Sequence, residues 1–264
     1  MKIGFIGAGN MGGAMMRGIV ASGKANSADI IASDKNENAL ELLKSELDIA
    51  ITTDNKAVVS FADIIFLSIK PQFYESVISE IKSVVTKEKL IVTIAPGKTL
   101  EWLKTQFGKS VKIIRTMPNT PAMVGEGMMG MCPNELIEED DLDIVKDICS
   151  GFSKTEVVSE NLMDVVTAVS GSSPAYVFMF IESMADAAVA DGMARAAAYK
   201  FAAQAVLGSA KMVLDTGKHP GELKDMVCSP GGTTIEAVRV LEEKGMRSAV
   251  FEAMKACVKK SRGM

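Results

Sequence analysis

The first 160 residues alternate between short apolar runs and helical patterns, and this alternation constrains the fold more than any other feature of the chain. Each run is apolar at almost every position, which is typical of a strand buried on both faces. Such strands, separated by helices, predict an α/β fold in which helices cover both sides of a parallel sheet. We predict strands at Lys2–Gly7, Ile30–Ser33, Ile64–Ile69, Leu90–Ile94, Lys112–Thr116, Gly127–Cys132 and Thr155–Val158, and helices at Asn10–Ser22, Asn36–Glu46, Gln72–Val84, Thr99–Phe107 and Glu138–Phe152.

A glycine-rich segment, Gly7-Ala8-Gly9-Asn10-Met11-Gly12, connects the first strand to the first helix. In this pattern the first glycine permits a tight turn, the second lets a pyrophosphate approach the backbone, and the third allows close helix–strand packing. The unpaired N–H groups and partial positive charge of the helix N-terminus then attract phosphate. We therefore predict a Rossmann-type dinucleotide-binding domain over residues 1–160. The alternative is that the glycines serve only the turn.

Asp34, at the end of the second strand, is placed to distinguish between two dinucleotides. A carboxylate there accepts hydrogen bonds from the adenosine ribose hydroxyls. It repels a 2′-phosphate by about 1 kcal/mol per charge at about 4 Å in water, and by about 4 kcal/mol at an effective dielectric constant of about 20. Asp34 therefore favours NADH over NADPH, although Lys35 offsets part of the repulsion. A solvated turn carboxylate is the alternative.

Three later loops follow predicted strands. Ligands of open parallel sheets lie outside the carboxyl ends of the strands. We therefore expect Ser68-Ile69-Lys70-Pro71 and Ala95-Pro96-Gly97 to border the nicotinamide-ribose half of the cofactor. Asn119 is a candidate to bind the nicotinamide amide or the substrate. Plain connecting loops remain the alternative for all three.

The remainder of the chain, residues 161–264, is predicted to be an all-α domain, because no strand pattern occurs after Asp164. Ser173-Pro174 is a typical helix start, and the helix from Pro174 to Asp191 is apolar on all sides. Such a helix must be covered on all sides, so we expect a second chain to contribute. Further helices are predicted at Arg195–Asp215, Thr233–Lys244 and Arg247–Ser261, with Gly217 and Gly245 ending the first two.

A loop of small residues precedes one of these helices, and it combines Ser229, Gly231, Gly232, Thr233 and Thr234. Thr233 and Glu236 have the spacing of a capping box. The glycines expose several backbone N–H groups, and the hydroxyls add donors, so the loop predicts a carboxylate-binding site. An ordinary helix cap is the alternative.

The chemistry that this loop can support is restricted, because it contains no histidine, tyrosine or lysine that could act as a strong general acid. Reduction of a carbonyl requires protonation of the developing alkoxide, whereas an imine is basic enough to take a proton from water. Reduction of a C=N bond is therefore favoured, with most of the rate enhancement coming from proximity.

Composition and charge argue against several other classes. The net charge of −4 is too small to indicate a nucleic-acid partner. The four cysteines lie far apart and the only histidine, His219, precedes a proline, so no metal site is expected and His219 is interpreted as a surface or cap residue. Reduced thiols indicate a cytoplasmic protein. We expect no membrane span, because no uninterrupted apolar run approaches roughly 18 residues.

The combination of motifs resembles the Δ1-pyrroline-5-carboxylate reductase family over essentially the whole chain. The motifs are Gly4-Phe5-Ile6-Gly7-Ala8-Gly9-Asn10-Met11, Lys70-Pro71-Gln72, Arg115-Thr116-Met117-Pro118-Asn119-Thr120-Pro121, Ala168-Val169-Ser170-Gly171-Ser172-Ser173-Pro174-Ala175-Tyr176, and His219-Pro220-Gly221-Glu222-Leu223-Lys224-Asp225 continuing through Pro230-Gly231-Gly232-Thr233-Thr234. The resemblance implies NAD(P)H-dependent reduction of a cyclic imino acid to L-proline, the last step of proline synthesis.

The resemblance also implies roles for particular residues. It places Ile6 to Met11, Asn55, Ser68 to Pro71 and Ala95 to Gly97 around the cofactor. It implies that the substrate is bound by Ser229, Gly231, Gly232, Thr233 and Thr234, with the Thr234 hydroxyl nearest the ring nitrogen. It implies a homodimer through the C-terminal helices, often assembled into a decamer. Asp34 departs from the small polar residue that the family often has there, so the resemblance leaves the choice of cofactor open.

Two alternative functions remain at this point. A β-hydroxyacid dehydrogenase shares the glycine-rich start but depends on a lysine in the helix that corresponds to Pro174–Asp191, where this chain has none. A non-catalytic dinucleotide-binding scaffold would not need the extra hydroxyls of the Ser229–Thr234 loop.

Overall fold

The structure is a computed structural model that describes residues 1–263, and its strands form one eight-stranded sheet. The strand order is β3-β2-β1-β4-β5-β6-β7-β8, the Rossmann arrangement extended by two strands, so the predicted fold class is confirmed. The strands are β1 (Ile3–Ile6), β2 (Ile30–Ser33), β3 (Ala50–Thr52), β4 (Ile64–Leu67), β5 (Leu90–Thr93), β6 (Lys112–Met117), β7 (Gly127–Pro133) and β8 (Ser153–Val157).

Strands β1, β2, β4 and β5 are buried at every position because both faces of the sheet are covered. In β1, Ile3 and Phe5 belong to one core cluster, and Ile6 belongs to a second cluster formed on the other face. Phe5 stacks on Phe66 of β4 with ring centroids 4.7 Å apart. β1 pairs in parallel with both β2 and β4. The chain order reverses at β1, so the carboxyl ends of β1 and β4 form the topological switch point where ligands of such sheets bind.

The helices agree with most of the predicted ones to within a few residues. The prediction missed β3 and the helix after it, and it ran Gln72–Val84 together where the structure has a short 3₁₀ turn followed by a helix. The helices are α1 (Asn10–Ala21), α2 (Glu37–Leu47), α3 (Asn55–Phe61), α4 (Tyr74–Ile81), α5 (Leu100–Phe107), α6 (Glu139–Cys149), α7 (Met163–Val166), α8 (Ser173–Ala190), α9 (Arg195–Thr216), α10 (Pro220–Val227), α11 (Thr233–Glu243) and α12 (Met246–Ser261).

One part of the sheet differs from an all-parallel arrangement. β7 runs antiparallel to β6, and β8 is parallel to β7. β6 and β7 are joined by the short segment 118–126. This segment is too short for the crossover that parallel strands need, so the chain returns in the opposite direction.

The chain divides into two compact units. The first comprises Met1–Ser172 together with the last residues of α12, from Val258 onward, and the second is Ser173–Cys257. Within the first unit, Ser261 donates a hydrogen bond of 2.6 Å to Asp164. The predicted division at residue 160 remains a prediction.

The second unit is helical throughout, as predicted, and leaves large apolar side chains uncovered within its own chain. Phe178 and Met179 of α8 are 64% and 66% exposed, and Phe201 of α9 is 69% exposed. By length and composition alone, the stretch Glu160–Ala190 could cross a membrane. It carries acidic residues such as Glu182, and the expectation of no membrane span stays a prediction.

Candidate functional site

A cleft of about 450 Å³ opens at the carboxyl ends of β1, β2 and β4, within the first unit. Its volume lies in the range of small-molecule and cofactor sites, roughly 300–1,000 Å³. The cleft occupies the topological switch point of the sheet. It is lined by Ile6, Gly7, Gly9, Ser33, Asp34, Lys35, Asn36, Asn55, Ser68, Ile69, Lys70, Phe73, Ser76 and Val77.

The three glycines of the first loop have different surroundings. Gly7 has a φ of 110°, and a Cβ there would lie 2.5 Å from the Ser68 carbonyl oxygen. A Cβ at Gly12 would lie 2.3 Å from the carbonyl oxygen of Gly7, so only glycine lets α1 approach β1 this closely. A Cβ at Gly9 would meet no protein atom within 4 Å, which leaves its backbone open to a ligand.

The N-terminus of α1 lies at this loop and has no side-chain cap, with Gly9 in the N-cap position. The first N–H groups of a helix have no partner within the helix. Asn10, Met11 and Gly12 form this first turn, while the Ala8 N–H donates to Asp34. An open turn with uncapped helix amides fits the pyrophosphate of a dinucleotide.

Asp34 binds the protein backbone on both sides. Its carboxylate accepts hydrogen bonds from the Ala8 N–H at 2.7 Å and from the Asn36 N–H at 2.9 Å. Asp34 therefore holds the glycine-rich loop against the end of β2, and it also lines the cleft. This bracing role is not evident from the sequence.

Asn55 is oriented by a chain of hydrogen bonds. Its Oδ1 accepts from the buried Ser33 hydroxyl at 2.7 Å, and its Nδ2 donates to Glu80 at 2.9 Å. Ser68, on the neighbouring strand end, donates to the Gly7 carbonyl at 2.6 Å. Ser33 and Glu80 were not among the predicted site residues. Phe73 and Val77, which line the cleft, were not predicted either, although their four-residue spacing indicates that they share a face.

The remaining predicted cofactor residues fall in two groups. Ile69, Lys70 and Pro71 follow β4, and Ala95 and Gly97 follow β5, so all lie at the carboxyl edge of the sheet.

Asn119 is buried instead: its Nδ2 donates to the Ser170 carbonyl at 3.0 Å, and its Oδ1 accepts from the Met128 N–H at 2.8 Å. The structure thus gives Asn119 a fastening role between β7 and the π-helical segment Thr167–Gly171.

The Ser229–Thr234 loop lies in the second unit and closes with a turn. The Gly232 N–H donates to the Ser229 carbonyl at 3.1 Å, and Gly231 has a φ of 68°. Proline followed by a glycine of positive φ is typical of a type II turn. A Cβ at Gly232 would lie 2.4 Å from the Ser229 hydroxyl oxygen and 3.1 Å from the Ser229 carbonyl oxygen, so a side chain there would displace that hydroxyl.

The predicted capping box at Thr233 and Glu236 is wrong. Gly232 is the N-cap of α11, and no side chain caps this helix. Glu236 instead accepts hydrogen bonds from Arg239, at 2.7 Å for the shortest. The helix begins one residue earlier than the box requires, and the guanidinium competes for the carboxylate. The first amides of α11 are consequently left for another acceptor, beside a half-buried Thr234.

His219 is the N-cap of α10, and its Nδ1 accepts a hydrogen bond from the Gly221 N–H at 3.0 Å. The interpretation of His219 as a cap is confirmed. Among residues 1–263, no three His, Cys, Asp or Glu side chains are placed to hold a metal ion.

The sheet order, the glycine-rich turn and the separate helical unit are those of a two-unit protein with a Rossmann-type dinucleotide-binding domain. A family model described as pyrroline-5-carboxylate reductase dimerisation matches residues 160–264, and one described as NADP oxidoreductase, coenzyme F420-dependent, matches residues 2–97. The pyrroline-5-carboxylate reductase of Escherichia coli K12 is 55% identical over 260 residues, covering 98% of this chain and 97% of that protein. The chain belongs to the pyrroline-5-carboxylate reductase family.

Solved structures agree with this assignment. A pyrroline-5-carboxylate reductase from Coxiella burnetii superposes with a TM-score of 0.93 at 32% identity, covering 99% of this chain and 97% of that one. The Plasmodium falciparum pyrroline carboxylate reductase, solved with NADP bound, gives a TM-score of 0.89 at 32% identity, covering 100% and 97%.

Proposed function

We propose that this protein reduces 1-pyrroline-5-carboxylate to L-proline with a reduced nicotinamide dinucleotide, the final step of proline synthesis. The observation that carries the proposal for the substrate is the uncapped start of α11 behind the Ser229–Gly232 turn. This segment offers amides and hydroxyls to a carboxylate and holds no group suited to protonating an alkoxide. Membership of the reductase family supports the same substrate.

In this proposal the first unit binds the dinucleotide, and different residues bind its pyrophosphate, its adenosine ribose and its nicotinamide half. Gly7, Gly9 and the first turn of α1 bind the pyrophosphate, and Asp34 and Asn55 bind the adenosine ribose. Ser68–Pro71, Ala95 and Gly97 hold the nicotinamide half, with Asn119 acting through the segments that it fastens. When bound, the reduced nicotinamide supplies a hydride to the imine carbon.

The substrate is held by the second unit. The Gly231 and Thr233 amides and the Ser229 hydroxyl bind its carboxylate, and Gly232, whose N–H closes the turn on the Ser229 carbonyl, shapes that site. The Thr234 hydroxyl donates a hydrogen bond to the ring nitrogen and fixes which face of the ring is presented. The proton that completes the amine comes from water, because an imine is basic enough to accept it.

We expect the purified protein to oxidise NADH or NADPH when 1-pyrroline-5-carboxylate is added, and to leave hydroxyisobutyrate unchanged. Loss of absorbance of the reduced nicotinamide measures both reactions. Turnover of hydroxyisobutyrate would support the alternative function of a β-hydroxyacid dehydrogenase. Folded protein that binds dinucleotide yet turns over neither compound would support the alternative of a non-catalytic dinucleotide-binding scaffold.

We propose that the protein prefers NADH to NADPH because of the Asp34 charge. Asp34→Asn keeps one oxygen for the Ala8 N–H, gives up the acceptor of the Asn36 N–H and removes the charge. We expect it to raise the NADPH-to-NADH ratio of kcat/KM about tenfold. Asp34→Ser also removes the brace on the glycine-rich loop, so kcat/KM should fall for both dinucleotides. Steady-state rates with each cofactor decide this, and a wild-type preference for NADPH contradicts the proposal.

We propose that a second copy of the chain covers the exposed apolar side chains of α8 and α9, giving at least a homodimer and in larger assemblies a decamer. The match of residues 160–264 to a dimerisation family supports a protein partner rather than a membrane. Sedimentation should give a mass of at least twice the 28.1 kDa of one chain. A stable monomer contradicts the proposal.

We also propose a cytoplasmic location and a boundary between two functional domains at residue 160. The four cysteines form no disulfide among the described residues, as expected for a reducing compartment. Residues 1–160 bind the dinucleotide, and residues 161–264 bind the substrate and the second copy.

A further inference from the structure

Tyr74, the first residue of α4, is fully buried in the core on one face of the sheet. Its hydroxyl donates a hydrogen bond of 2.6 Å to the Leu67 carbonyl and accepts one of 3.2 Å from the Ile94 N–H. A tyrosine hydroxyl can donate and accept at the same time, and here both capacities are used.

The two backbone partners lie at the ends of neighbouring strands. The register of β4 and β5 ends at the pair Leu67 and Thr93, beyond which the strands no longer pair. Leu67 directly precedes Ser68, and Ile94 directly precedes Ala95. The Tyr74 hydroxyl therefore joins the two loops at the point where the ladder of strand hydrogen bonds stops.

The connection continues to the glycine-rich turn. Ser68, next to Leu67, donates from its hydroxyl to the Gly7 carbonyl at 2.6 Å. Three loop segments at the carboxyl edge of the sheet are thus linked through backbone atoms, with Tyr74 supplying the link between β4 and β5. Burial raises the pKa of the Tyr74 phenol, so the hydroxyl keeps its proton and its donor role at any working pH.

We infer that Tyr74 is a positioning residue for the nicotinamide half of the cofactor, because its hydroxyl sets the spacing between Ser68–Pro71 and Ala95–Gly97. This inference rests on the proposed function, which assigns those two loops to that half. The aromatic ring fills the core, and the hydroxyl sets the loop spacing. Tyr74→Phe therefore removes the hydroxyl and its two hydrogen bonds while keeping the ring in the core.

The experiment compares two ligands by fluorescence titration. NADH reaches both halves of the site, whereas ADP-ribose lacks the nicotinamide. In Tyr74→Phe we expect the Kd for NADH to rise about tenfold, since the half-buried Ile94 N–H and the buried Leu67 carbonyl lose their shared partner. The Kd for ADP-ribose should change less than about twofold, because the adenosine and pyrophosphate contacts are untouched.

Ser153→Ala is the matched control, because it removes another buried hydroxyl of the first unit, one that donates to the Cys149 carbonyl at 3.2 Å. It should leave both dissociation constants unchanged. An equal rise for NADH and ADP-ribose in Tyr74→Phe, or no change in either, overturns the inference. Failure of the wild-type protein to bind either ligand overturns the proposed function itself.

Discussion

Gly12→Ala is expected to weaken dinucleotide binding about a hundredfold, equivalent to about 2.8 kcal/mol. The new methyl carbon would lie 2.3 Å from the Gly7 carbonyl oxygen and 2.8 Å from the Ser68 hydroxyl oxygen. Neither the backbone oxygen nor the bound hydroxyl can move without opening the turn. The start of α1 must then shift away from β1, and the amides that bind phosphate shift with it. Titration with NADH measures the loss.

Gly13→Ala is the matched control for this prediction. The neighbouring position lies in the same helix, but a methyl carbon there would come closer than 3.0 Å only to the end of the Arg17 side chain, at 2.9 Å, and would make an ordinary contact of 3.6 Å with Leu43. That flexible guanidinium can move aside, so we expect dinucleotide affinity close to that of the wild type. Equal affinities for the two variants would contradict the close-packing argument at Gly12.

Thr234→Ala is expected to lower kcat/KM for the imino acid ten- to a hundredfold, equivalent to about 1.4–2.8 kcal/mol. Thr234 lies in the first turn of α11 and is half-buried. Alanine keeps the backbone N–H and the helix, so the change isolates the hydroxyl that we assign to the ring nitrogen. The Kd for dinucleotide should stay unchanged, because that site belongs to the first unit.

Thr216→Ala makes the same chemical change elsewhere in the second unit. The Thr216 hydroxyl donates to the Met212 carbonyl on the exposed surface of α9. Its loss should leave the steady-state kinetics unaltered. Full activity in Thr234→Ala would remove Thr234 from the mechanism.

The sheet was largely predictable, because burial on both faces leaves a clear pattern. β2 was predicted with its observed bounds, Ile30–Ser33, and the other central strands to within two residues at each end. β3 was missed because it has three residues at the sheet edge, where alternating or continuous apolarity is not required. The direction of β7 was not predictable, since an apolar run looks the same in either orientation.

The site residues were predictable where the backbone conformation admits only one residue type, and less predictable where a role depends on contacts distant in the sequence. Gly7 and Gly12 stand where a side chain would collide with the chain itself. The second role of Asp34 and the position of Tyr74 depend on backbone atoms far away in the sequence, which no local pattern reveals. The capping box failed because its spacing takes no account of Arg239, a competing partner for Glu236.

The return of the last residues of α12 to the first unit has a practical consequence. A fragment ended at residue 172 keeps Asp164 but lacks Ser261, whose hydroxyl bonds to it, and a fragment ended at residue 160 lacks both partners. Preparing the nucleotide-binding half by truncation thus discards part of it. Joining the segment from Val258 onward to such a fragment through a flexible linker would restore the missing piece.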